Sequence, residues 1–140
     1  MKRITICLLL MTFLCGCREE VSHMDITGEW RLTDMALTKS VQIGDEEVDI
    51  YISFSADSTF AMWQFLGAGR YAPYAGKWSL SEDILSGTYD DGYSWGNVYK
   101  VSLEDDTLTL EATQNSSDTY VYSRTAIPDE LKSQWCGYGF

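Results

Sequence analysis

The feature that most limits what this chain can fold into is an apolar–polar alternation that recurs from residue 28 to residue 126, interrupted only by turn signals. Residues 48–55 show it best. Val48, Ile50, Ile52 and Phe54 fall on one face, and Asp49, Tyr51 and Ser53 on the other. A period of two is the mark of a half-buried strand. Further segments of this kind read as 28–37, 59–66, 74–81, 84–89, 95–103, 108–112 and 119–126. Ala56-Asp57-Ser58, Gly67-Ala68-Gly69, Asp90-Asp91-Gly92, Glu104-Asp105-Asp106 and Asn115-Ser116-Ser117-Asp118 punctuate them. Gly, Asp and Asn tolerate the backbone that tight turns need. The longest connection, 38–47, is polar and acidic.

Eight strands joined in sequence by short connections form an antiparallel meander. Its two edges would expose unpaired amides, and closure removes them. A sandwich would need longer crossings than most of these connections allow. The expected fold is therefore an all-β, eight-stranded, up-and-down barrel. Its interior is wide enough for side chains or for one small ligand. After Ala126 the pattern ends, and Pro128-Asp129-Glu130 opens a short helical turn. Pro fits a first turn, and acidic residues suit its positive end.

The first 25 residues follow other rules. Lys2 and Arg3 precede an apolar run over 4–14. That is far short of the roughly 20 residues a membrane-crossing helix needs, and it has the form of a secretory signal. Leu14-Cys15-Gly16-Cys17 resembles a bacterial lipobox, in which the chain is cut before the last Cys and that thiol carries lipid. The expected organisation is a lipoprotein signal over 1–16, lipidated Cys17 with a short tether over 17–25, and one domain over 26–140. Arg18-Glu19-Glu20 resembles the export signal that sends lipoproteins to the cell surface in Bacteroides-type bacteria. The expected location is the cell envelope. There the lipid on Cys17 anchors the chain to the outer membrane, facing the periplasm or displayed at the surface.

Cutting at that point leaves Cys17 and Cys136, and lipid occupies the first, so the core must stabilise the domain without an internal disulfide. It also leaves eight basic residues against 21 acidic ones. A surface of that sign repels phosphate, which excludes nucleic acid as a partner, and it repels anionic headgroups too. The lipid, not the protein surface, must then hold the membrane.

Gly28-Glu29-Trp30 opens the first strand, and Arg124 stands in the last. A Gly-x-Trp at the start of such a meander, with a late Arg, resembles the lipocalin and lipocalin-like superfamily. Within it, the small lipocalin-like lipoproteins of Bacteroides-type bacteria are the nearest in kind. The resemblance implies that Trp30 packs across the closed end of the barrel and that Arg124 lies over its indole. Gly28, Trp30 and Arg124 are thus structural motif residues.

Little else in the chain suggests chemistry. His23, the only histidine, falls in the tether, where no rigid shell would hold a catalytic group. Cys136 has no histidine partner to activate it. The acidic clusters at 45–49, 90–91 and 104–106 do not match a calcium-loop spacing and read as solvated turns. No metal site, cofactor or catalytic residue is expected, although paired carboxylates of a hydrolase remain a distant alternative. The aromatics carry more information. Phe54, Met62, Trp78, Tyr99 and Tyr122, with Trp30, fall on the inward-facing side of their strands and are the candidate cavity residues. The expected function is non-catalytic binding of a small apolar or amphipathic ligand by a membrane-tethered barrel. The alternative is a filled barrel that serves as a protein- or glycan-interaction module of an envelope complex, using exposed aromatics. Trp63 and Phe65 lie opposite Phe60 and Met62, so either one pair faces outward or both faces are covered.

Overall fold

The computed structural model describes residues 24–36, 48–67, 69–114 and 118–135. The signal segment, Cys17, His23, the acidic stretch 38–47, the 115–117 turn and the end of the chain from Cys136 lie outside the described residues.

Eight strands form one closed antiparallel barrel in sequence order. They are β1 (Gly28–Ala36), β2 (Val48–Phe54), β3 (Thr59–Leu66), β4 (Ala72–Ser81), β5 (Ile84–Tyr89), β6 (Tyr99–Glu104), β7 (Thr107–Ala112) and β8 (Thr119–Arg124). The expected meander is present, and the first strand pairs with the last. Trp30 stands opposite Arg124, Leu32 opposite Tyr122, and Ala36 opposite Thr119. A bulge at Thr33 shifts the register between Leu32 and Asp34, and the Thr33 hydroxyl donates to the Val121 carbonyl at 3.1 Å. Such a bulge adds twist, which a small barrel needs.

The two ends of the barrel differ. At one end the connections are tight turns at 55–58, 82–83 and 105–106. Ser58, Glu82 and Asp105 adopt positive φ there. Asp57 stabilises its turn by accepting bonds from the Thr59 amide at 3.0 Å and its hydroxyl at 2.6 Å. Ile26, Trp30, Phe54, Leu85 and Leu108 are fully buried and plug this end. The opposite end carries the longer connections.

The segment between β5 and β6 departs from the sequence reading. Trp95 is expected to open the sixth strand, but β6 begins at Tyr99. The Asp90-Asp91-Gly92 turn does form. Gly92 takes φ +91° and donates to the Tyr89 carbonyl at 2.9 Å. Its return arm pairs with β5 only as far as Trp95, whose amide donates to the Gly87 carbonyl at 2.9 Å. The chain then crosses over to start β6. As a result β5 and β6 pair directly at only two positions, Ile84 with Lys100 and Leu85 with Tyr99. The alternation through 95–103 is real, but it belongs to two separate arms.

The C-terminal turn is longer than expected: α1 (Asp129–Trp135) is a two-turn helix. It packs on the outside of the barrel. Ile127 and Leu131, four residues apart, bury against Tyr51 of β2 and Trp63 of β3. Both faces of β2 and β3 are therefore covered at this point, which decides the Trp63 question. Glu29 fixes the helix from below, pairing with Lys132 and accepting from the Ile127 amide at 3.3 Å.

Candidate functional site

The plugged end shows how the Gly-x-Trp motif works. The Trp30 indole N–H donates to the Ile26 carbonyl at 2.9 Å. The Arg124 guanidinium lies 4.2 Å from the centre of the indole and donates to the Thr27 carbonyl at 3.1 Å. Asp106 holds the outer side of the guanidinium at 3.3 Å. Gly28 has φ +126°, and a side chain there would strike the guanidinium. The glycine is required twice over, by its backbone and by the arginine pressed against it. These residues seal one end of the barrel.

Above this plug the alternation aims side chains into the other half of the barrel, where a cavity of about 240 Å³ remains. Ile50 and Ile52 of β2 and Met62 of β3 give it an aliphatic side, while Leu110 of β7 stands opposite Tyr120. Phe60, Tyr89, Trp95, Tyr99, Tyr120 and Tyr122 give it an aromatic side. Gln64 supplies an amide. Adjacent rings meet close to edge on. Phe60 lies 5.0 Å from Trp95 at 72°, Trp95 lies 6.3 Å from Tyr99 at 64°, and Tyr99 lies 6.0 Å from Tyr120 at 79°. Rings in this arrangement brace one another and hold a fixed wall.

The phenols titrate late. Burial, with Tyr120 close by, pushes Tyr99 up to about 12, against a bond from Asn97 that pulls the other way. Burial raises Tyr89, Tyr120 and Tyr122 as well. All four hydroxyls are therefore neutral at physiological pH, able both to donate and to accept hydrogen bonds. No carboxylate, histidine or cysteine stands among the described residues of the lining. No group of three or more such residues among the described residues is placed to hold a metal.

Of the candidate cavity residues, Met62, Tyr99 and Tyr122 line this space. Phe54 and Trp78 do not. They pack together edge to face at 5.5 Å, and the Trp78 indole donates to the Thr59 carbonyl at 2.9 Å, which ties the pair to the plugged end. The sequence reading overlooked Phe60, Gln64, Tyr89, Leu110 and Tyr120. Period two could have found them, since Gln64 shares a face with Phe60 and Met62, and Tyr120 shares one with Tyr122. Trp95 shares its parity with Tyr99, but it enters the cavity from a connection and not from β6. Outside the barrel, Arg31 and Tyr71 hold Asp49 at 2.9 and 2.6 Å, a polar clasp beside α1.

A closed meander, plugged at one end and hollow at the other, is the architecture of a ligand-binding barrel. A family model described as a lipocalin-like domain matches residues 26–110, and the chain belongs to that family. The fold is in general a non-catalytic binding fold. Among solved structures, an uncharacterized protein from Bacteroides eggerthii DSM 20697 is similar at 18% identity, with a TM-score of 0.50. The match covers 72% of this chain and 100% of that one, and it speaks to the fold alone. No curated protein matches the chain.

Proposed function

We propose that this protein is a membrane-tethered, non-catalytic barrel that holds a small amphipathic molecule in its hollow end. The observation that carries the reading is the 240 Å³ cavity itself, which has an aliphatic side and a phenol-bearing aromatic side. It is smaller than the ~300 Å³ at which drug-sized sites begin, yet an apolar cavity of about 150 Å³ is enough to take benzene. The ligand is accordingly compact, with an apolar body and a polar group for the hydroxyls and Gln64. The tether rests on the lipobox-like stretch ending at Cys17.

The test is native mass spectrometry of the full chain purified from its own membrane. A retained small molecule is expected, and it should be absent from a Leu110→Trp variant that fills the cavity. Bare protein in both would overturn the reading. Cys17→Ser should move the protein from the membrane to the soluble fraction, and continued membrane association would remove the tether. A second reading is favoured by Leu66, Tyr74 and Tyr93, which are all exposed and belong to the longer-loop half of the barrel. In that reading the rim recognises a protein or glycan. It gains if no small molecule is retained and Tyr93→Ala abolishes recovery of an envelope partner by crosslinking.

A further inference from the structure

The cavity wall has a chemical bias that a merely greasy pocket would lack. Six of its lining residues carry aromatic rings, and no lysine or arginine stands among its described residues. Five of those rings follow one another in steeply inclined contacts, from Tyr89 through Phe60, Trp95 and Tyr99 to Tyr120. Ring faces are electronegative, and together they attract a cation.

The surroundings carry charge of the same sign. Asp91 acts on Tyr89, and Asp118 acts on both Tyr99 and Tyr120, in each case adding to the effect of burial. The formal charge of the whole chain is −11. A site with carboxylates near its aromatic wall, and none inside, draws in a cation without forming an ion pair that would need a fixed partner.

We infer that the hollow end takes a small organic cation, an alkylated ammonium on a compact apolar body. The ammonium lies against Trp95, Tyr99 and Tyr120, and the apolar part lies against Ile50, Ile52 and Met62. This inference rests on the proposed binding function and adds the class of ligand. Alkylation matters because no carboxylate in the lining repays the dehydration of a primary ammonium. A quaternary centre is weakly hydrated and enters an aromatic cage at lower cost. The volume agrees: about 240 Å³ exceeds the ~150 Å³ that suffices for benzene, which leaves room for a trimethylammonium group and a short chain.

The experiment compares two probes of one shape on the full chain in low salt. Choline carries the trimethylammonium, and 3,3-dimethyl-1-butanol replaces it with a neutral tert-butyl group. Binding is read by tryptophan fluorescence and calorimetry. Choline should bind roughly ten- to thirtyfold more tightly than the alcohol. Trp95→Leu and Tyr99→Leu should bring that ratio toward one. Equal binding of the two, or tighter binding of the alcohol, overturns the cation while leaving the cavity as a binding site. Binding of neither probe, with a neutral molecule retained in native mass spectra, has the same meaning. Binding of neither, with nothing retained, removes both this inference and the function it rests on. The wild-type comparison needs no variant to fold.

Discussion

At the scale of single residues, the fold depends most on the contact between Arg124 and Trp30. The guanidinium stacks 4.2 Å from the indole centre and also bonds to the Thr27 carbonyl, so its stem and its charge both contribute. The Asp106 partner is 80% exposed at its side chain and adds little. Arg124→Ala should lower stability by about 1–3 kcal/mol, read as a lower urea midpoint with an unchanged slope. An unchanged midpoint would show that the stack is ornamental. The family resemblance pointed to Gly28, Trp30 and Arg124, because Gly-x-Trp and a late Arg are local signals. Alternation placed Trp95 at the opening of the sixth strand, whereas it stands in the connection before β6. That side chain reaches the cavity because Gly87 on β5 leaves room for the indole to lie against the strand, and only the folded chain brings those two positions together.

At the scale of elements, two features set local stability. The β5–β6 seam has two directly paired positions, against six between β6 and β7. Strand pairs with few shared bonds open first. Amides in residues 90–98 should therefore exchange with deuterium well before those of β1 and β8. Equal protection across the barrel would contradict that. The seam also borders the cavity, so a ligand bound there should slow exchange in the same segment. The second feature is α1, whose Leu131 is buried against Tyr51 and Trp63. Leu131→Ala should cost about 2–3 kcal/mol, at the lower part of the range for core leucines, because a helix on the outside can settle into the gap. A loss below about 0.5 kcal/mol by thermal unfolding would show that the helix only rests on the barrel. The strands were largely legible because alternation is a property of consecutive residues. The helix was legible only as a turn after Pro128, because what extends it is contact with β2 and β3, some 70 residues earlier in the chain.

At the scale of the whole molecule, the buried phenols tie stability to pH. The folded chain keeps Tyr99 protonated up to about 12, mainly through burial, whereas an unfolded chain releases that proton near 10. Between those values the unfolded state binds fewer protons, so stability falls as pH rises, and below about pH 10 the contribution is fully present. Wild type should lose on the order of 1–2 kcal/mol relative to Tyr99→Phe between pH 10 and 12, measured by chemical denaturation. Parallel pH curves for the two proteins would refute the assignment. Sequence by itself determined the strand count, their order and the closing of the first strand onto the last. All of these follow from the short-range periodicity of side chains and from the need to satisfy strand edges. Only the tertiary structure decided that the interior is half filled, that Phe54 and Trp78 belong to the plug, and that Trp95 joins Tyr99 and Tyr120 in the wall. A void is the space left when every strand has taken its tilt and register. It depends on distances between residues far apart in the chain, which no local pattern records.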